Sequence, residues 1–302
     1  WIMQGILDFL TSAAPEAALL RSSFVFKIIP MLNTDGVING SYRCSLAGCD
    51  LNRTWERPVR WLQPTVFHTK RLMQALAASP ASRLALYIDI HGHSTKEDVF
   101  FYGCEPSLAG LPTQPAAQQR SNSPAAPRPT PGRRGSHSDL TDGIAGLSVS
   151  GQAAVLSSPS PGNGHQCNGA GSSPSGGACP AAGVSPRVAA RLRVRMLPYL
   201  LARRSPQVFS LAKSNFRVRK PKLGAARVVA HRELGCAGAY TLEASLGGRS
   251  ADRCHFSAVD YVNAGAELCR AIAELAEVDD AGLLEEMAGC VALPPYTSAY
   301  TS

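Results

Sequence analysis

This chain of 302 residues contains no apolar run that reaches the ~18 residues of a membrane-spanning helix, so no such span is expected within it. None of its nine cysteines forms a Cys-x-x-Cys pair, which removes the spacing of zinc ribbons and thioredoxin-like redox centres. The odd count and wide scatter also argue against a disulfide framework, and Cys44 and Cys49, which bracket a loop, are read as free thiols. The opening residues, Trp1 to Leu10, carry a helical apolar face in place of a charged leader and cleavage site. These absences point to a reducing, cytoplasmic setting. No internal repeat is present.

Acidic residues are missing from one long stretch. Between Gly143 and Arg232 there is no Asp or Glu, while Arg187, Arg191, Arg193, Arg195, Arg203, Arg204, Lys213, Arg217, Arg219, Lys220, Lys222 and Arg227 accumulate within a net charge of +8. A field of that sign attracts acidic polymers. The run lacks the interleaved aromatics of a base-stacking platform, which argues against nucleic acid and leaves acidic peptide as the expected partner.

Composition divides the chain. From 105 to 184 it is dominated by Ala, Gly, Pro and Ser, too poor in large apolar side chains to offset the entropy of ordering, and is expected to be a disordered insertion. It separates residues 1–104, the first part of one domain, from 185–280, the second part, with 281–302 as a C-terminal tail. Without the insertion roughly 220 residues remain, enough for a single α/β core.

Apolar patterning predicts helices over 1–12, 64–78, 188–202, 207–214 and 260–278, and strands over 24–31, 84–90, 226–230 and 239–243. Strands that alternate with helices and lack polar alternation imply a mixed, largely parallel sheet covered by helices on both faces.

Polar anchors sit at the ends of these strands or in the turns that follow. They are Asn33-Thr34-Asp35-Gly36, Asp50-Leu51-Asn52-Arg53, Asp89-Ile90-His91-Gly92-His93-Ser94 and Tyr240-Thr241-Leu242-Glu243. His91 leaves the C-terminal edge of a strand, where α/β sheets place ligands. Glu243 closes an otherwise apolar strand, where desolvation raises a carboxylate's proton affinity. Arg53 and Arg43 offer planar guanidinium forks that accept a carboxylate in two parallel hydrogen bonds.

In that order, together with Phe26 to Met31, Tyr42-Arg43-Cys44 and Phe100-Phe101-Tyr102-Gly103, these motifs resemble the M14 zinc metallocarboxypeptidases, most closely the cytosolic carboxypeptidase branch. The resemblance implies a zinc carboxypeptidase-like fold with one zinc ion. It makes His91 a metal ligand, Glu243 the general base, Arg43 the stabiliser of the oxyanion, and Asn52 with Arg53 the clamp on the substrate's terminal carboxylate. Asp50 matches a carboxylate that hydrogen-bonds a zinc-binding histidine, and His93 is expected to line or support the pocket. Arg227, 16 residues before Glu243, falls where the family places the base of its side-chain pocket, with Thr241 beside it. Arg at that position suits Glu or Asp.

The branch as a whole implies removal of C-terminal glutamates from acidic protein tails such as polyglutamylated tubulin, and a cytoplasmic, cytoskeleton-associated setting. One departure stands out. The family's first metal motif, a His and a Glu three residues apart, is absent, since no His precedes His68. The chain is therefore expected to be N-terminally truncated, with two zinc ligands upstream of Trp1, and inactive alone. The alternative is a catalytically inactive module that binds acidic peptides.

Overall fold

The computed structural model describes residues 1–112, 154–159 and 183–296. Five strands form one mixed sheet in the order β1-β4-β2-β5-β3, with β1 Val25–Ile28, β2 Ser82–His93, β3 Val99–Tyr102, β4 Ala154–Pro159 and β5 Gly238–Ser245. Parallel pairing is confined to the central β2·β5 pair; β4 runs antiparallel to both β1 and β2, and β3 antiparallel to β5.

Successive strand residues point to opposite faces, and this alternation sorts the core. Leu86 and Ile88 of β2, Phe101 of β3, and Tyr240 and Leu242 of β5 face one apolar layer. Its helices are α1 Ile2–Leu10, α2 Pro15–Ser23, α5 Pro186–Arg193, α6 Met196–Arg204, α8 Ala258–Glu277 and α9 Asp280–Cys290; α3 is the short helix Thr34–Asn39 in the loop after β1. Tyr87 and Ala239 face the other layer, beneath α4 Pro64–Ala78 and α7 Ala226–Leu234, with Trp55, Val66, Met73 and Val229. Helices thus cover both faces, as expected.

Local chemistry explains the helix ends. Ser257 and Asp260 close a capping box on α8: Ser257 Oγ accepts from the Asp260 N–H, and the Asp260 carboxylate accepts from the Ser257 N–H. Pro64 occupies the first turn of α4, where its missing N–H has no consequence. Helices α1 and α8 cross through two glycines. A Cβ on Gly5 would lie 1.9 Å from the Val262 carbonyl oxygen, and one on Gly265 would lie 2.1 Å from that of Ile2.

Several elements differ from the sequence reading. Residues 226–230, expected as a strand because of paired valines, form the first turns of α7, which ends on Gly235 in the left-handed region (φ 66°). Tertiary burial overrides β-propensity here, since Ala226 to Ala230 are all buried. Residues 207–214 form turns that run along the outer edge of β3; the Val99 N–H donates to the Val208 carbonyl, and the Ser210 N–H to that of Val99. The strand expected over 24–31 is shorter and sits at the sheet edge, with Val25 exposed.

The expected helix over 188–202 breaks into α5 and α6 at Arg195, whose N–H donates to the Leu192 carbonyl and whose side chain is buried. Arg191 and Arg195 both pair with the buried Glu105, and Arg187 donates to the Leu108 and Leu111 carbonyls. Hence 105–112, assigned to the insertion, pack with the body, and β4 also falls inside the expected insertion. Residues 113–153 and 160–182 of that segment lie outside the described residues. The C-terminal tail expected from 281 begins instead as α9, capped by Asp279 and burying Leu283, Leu284 and Met287.

The glycine contact generates a prediction. Gly265→Ala should destabilise the protein by about 1–3 kcal/mol, the usual range for overpacking. Gly289→Ala, at a helical position with open space around it, should be neutral or slightly stabilising. Urea midpoints of the two variants check this; equal midpoints would contradict the close helix crossing.

Candidate active site

Strand alternation carries Asp89 and His91 of β2, Thr241 and Glu243 of β5, and Phe100 and Tyr102 of β3 to the same face. The register sets Asp89 beside Thr241, and His91 beside Glu243, which in turn lies opposite Phe100. Asp89, His91, Tyr102, Thr241 and Glu243 line a cavity of about 840 Å³, which Arg227 of α7 also reaches. The loop from Met31 to Trp55 closes one side and Asn215 to Lys222 another. Of the expected site residues, Arg43, Asp50, Asn52, Arg53, His91, His93, Arg227, Thr241 and Glu243 all line it.

His91 Nε2 lies 2.8 Å from Asp89 Oδ2. Asn52 Nδ2 donates to that same oxygen at 3.4 Å and lies 3.3 Å from His91 Nε2. Its Oδ1 accepts from the Ala226 N–H at the start of α7. Asn52 therefore ties three elements together as well as lining the cavity. Burial opposes the charged imidazole of His91, but the Asp89 carboxylate prevails and pushes it up to about 9. Burial also holds the Glu243 carboxyl above the usual range, against the opposing pull of His91 and His93. A carboxylate so placed has the proton affinity of a general base.

Asp50, expected beside a metal-bound histidine, has no such partner among the described residues. Its Oδ2 lies 3.1 Å from Arg43 Nε and 3.8 Å from Arg53 Nη2, while Oδ1 accepts from the Asn52 N–H. Held by the Asn52 N–H and flanked by two guanidinium groups, the carboxylate spaces the arginine forks at the cavity wall. His93 packs edge-on against Phe100, and its Nδ1 accepts from the Thr95 and Lys96 N–H groups, fixing the turn after β2.

Arg227 is buried, 6% exposed. Its guanidinium donates to Thr241 Oγ1 at 3.3 Å and to the Gly103 carbonyl at 3.4 Å, and lies 5.4 Å from the Tyr102 ring centroid. All of these partners are neutral.

Sequence reasoning gave no role to three contributors: Asp89 and Tyr102, both within quoted motifs, whose contacts depend on strand pairing; and Lys96, outside the basic run, whose Nζ lies 5.5 Å from the Tyr102 ring centroid.

The donor set does not fit a zinc centre. Among the described residues no three His, Cys, Asp or Glu side chains converge as metal ligands. Metal chemistry at this site requires donors beyond those described.

Comparison with known proteins gives consistent relationships. No family model matches the chain. It is 35% identical over 248 residues to cytosolic carboxypeptidase 1 of Danio rerio, covering 82% of the chain and 16% of that protein. Over 105 residues it is 58% identical to cytosolic carboxypeptidase 1 of Gallus gallus, covering 34% of the chain and 8% of the relative. The chain thus spans a sixth or less of these relatives. In fold it matches a Pseudomonas aeruginosa metallo-carboxypeptidase solved in complex with (2-guanidinoethylmercapto)succinic acid. That match has a TM-score of 0.53 and 18% identity, covering 92% of this chain and 53% of the other.

The Asp89–His91 contact predicts a titration. In the metal-free chain the His91 imidazole should titrate near pH 9 by NMR, and Asp89→Asn should bring it toward or below 6.5, because burial is then less opposed. The raised folded value means that this pair's contribution to stability is complete below about 6.5 and is lost as pH rises through about 9. A wild-type midpoint near 6.5 would contradict the contact.

Proposed function

The chain belongs to the cytosolic carboxypeptidase branch of the M14 metallocarboxypeptidases, and from that premise we propose that its cavity holds the C-terminus of acidic protein tails for removal of glutamates, polyglutamylated tubulin being the substrate expected of the branch. Buried Arg227 carries this reading. A guanidinium taken out of water with neutral partners is unfavourable unless an anion joins it, and this one faces the cavity.

The disposition of the other cations supports the same substrate class. Much of the basic run is neutralised by the chain itself: Arg191 and Arg195 pair with Glu105, Arg203 with Glu274 and Glu286, Arg204 with Glu267 and Glu274, and Arg232 with Glu56 and Glu233. These are structural. Arg217, Arg219, Lys222 and Arg227 instead line the cavity, and no ion-pair partner for them occurs among the described residues. Burial, together with Arg53, Arg43 and Arg227 nearby, holds the Lys222 ammonium below its ordinary value. The same crowding of positive charge makes an incoming carboxylate favourable.

Within this proposal Arg53 takes the terminal carboxylate, Arg43 the carbonyl oxygen as it becomes negative, Glu243 a proton, and Arg227 with Thr241 the acidic side chain. A cytosolic, cytoskeleton-associated setting follows from the substrate. Among the described residues no helix is long and apolar enough to cross a membrane.

A second reading, capture of acidic tails without hydrolysis, is favoured by the lack of three converging metal donors among the described residues. Removal of metal tests it: a chelator should leave the thermal midpoint of this chain unchanged. A drop that His91→Ala abolishes would reveal a metal site within it.

The specificity assignment is tested in the full-length enzyme. Arg227→Leu should lower kcat/KM on peptides ending in Glu by roughly 30-fold or more, the lower end of the range for truncating a buried charge pair, and leave peptides ending in Leu much less affected. Arg53→Ala should weaken both. An unchanged Glu-to-Leu preference in Arg227→Leu would overturn the assignment.

A further inference from the structure

Residues 220–225 are seated tightly at the cavity wall. The Lys222 N–H donates to the Arg219 carbonyl at 2.8 Å, and the Lys222 carbonyl accepts from the Ala225 N–H, just before α7, at 3.0 Å. Gly224 lies against the backbone of Arg53. Its carbonyl accepts from the Trp55 N–H at 3.1 Å, and a Cβ on it would meet the Arg53 carbonyl oxygen at 2.3 Å. Lys222 is thereby anchored close to Arg53, and it lines the cavity with Arg43, Asp50, Arg53 and Arg227. Of that group only Asp50 is acidic, and it is engaged by Arg43 at 3.1 Å and by the Asn52 N–H. The Lys222 ammonium has no carboxylate, carbonyl or aromatic partner among the described residues.

Lys222 differs in kind from the guanidinium groups around it. Arginine keeps its proton, whereas an amine crowded by like charges sheds one and becomes a nucleophile. Burial, with Arg53, Arg43 and Arg227, holds the Lys222 ammonium below its ordinary value. The same guanidinium groups also favour converting the amine into an anion, since their planar forks bind a carboxylate-like group. Addition of the free amine to dissolved carbon dioxide does this without a cofactor. The nitrogen lone pair forms a bond to the carbon, one C=O pair moves onto oxygen, and the amine proton passes to water. The product is R–NH–COO⁻, with nothing oxidised or reduced. Lys96, another amine on the cavity wall, is placed differently: it lies over Phe100 and Tyr102 and donates to the Lys213 carbonyl.

We propose that Lys222 is a carbon dioxide site, where a reversible carbamate forms and is held by the Arg43 and Arg53 forks in the field of Arg227. The modification replaces a positive charge with a negative one inside the cavity. It also sets a carboxylate-like group, built from the chain itself, among the cations that a bound anion would meet. Carbon dioxide then competes with anionic ligands for the cavity. The inference does not depend on which chain ends the cavity accepts.

The test equilibrates the purified chain with isotopically labelled bicarbonate, follows the carbamate by carbon NMR, and locates it by triethyloxonium trapping and mass spectrometry. Trapped carbamate is expected at Lys222 and not at Lys220, which is exposed and outside the cavity lining. Lys222→Arg, which keeps the charge, should abolish the resonance. Asp50→Asn removes the carboxylate from the cluster and retains an acceptor for the Asn52 N–H. It should raise the trapped fraction by about 2- to 5-fold, the scale of a partly exposed ion pair, and Arg53→Ala should lower it. An ordinary surface lysine would respond to neither change. Site-resolved trapping uses the wild-type chain, so it decides even where a variant fails to fold. No carbamate at Lys222, equal trapping at Lys220, or a resonance that persists in Lys222→Arg overturns the proposal.

Discussion

The parallel pairing of β2 with β5 is the constraint on which the site depends. Its register places His91 beside Glu243 and Asp89 beside Thr241, so four polar side chains from two segments far apart in the chain emerge on one face. A slip of one residue would send them into the apolar layer beneath α1 and α8 and expose Tyr240 and Leu242 in their place. That alternative is closed by the packing of Leu86, Ile88, Phe101 and Leu242. The core therefore fixes the site by fixing the register, and Asn52 extends it by bonding Asp89 on one side and the start of α7 on the other.

Charge is partitioned by the same architecture. On the helical side, arginines of α5 and α6 meet glutamates of α8, α9 and Glu105, so their contribution is cohesion. On the cavity side, Asp50 sits against Arg43 and Arg53, while Arg227 is held by neutral groups, Thr241 and the Gly103 carbonyl, and Lys96 by aromatic rings. The net charge of +8 is thus an imprecise guide to function. What matters for binding is which cations the fold leaves without a carboxylate.

The site was largely legible in the sequence because each motif ends an apolar run, and strand ends are where such runs deliver side chains. His91 and Glu243 were found in this way, and α4 matches its expected span of 64–78. Contacts that depend on pairing were not legible: Asp89 on His91, Asp50 on Arg43 and Arg53, and the shared Tyr102 ring. The valine-containing run 226–230 misled because short apolar runs fit either helix or strand, and only its packing under Trp55 and against β5 decides. Low-complexity composition hid β4, whose partners β1 and β2 lie far away in sequence. It also hid the packing of 105–112, which hangs on one buried glutamate and two arginines from the far side of the insertion.

The central claim is that the cavity arginines, and not the structural ones, meet the substrate. Arginine side-chain NMR of this chain during titration with a short peptide ending in a free glutamate tests it most directly. The expected result is saturable shifts at Arg53 and Arg227, with Arg203 and Arg204 unmoved. Shifts confined to Arg203, Arg204 and their neighbours, with Arg227 silent, would contradict it.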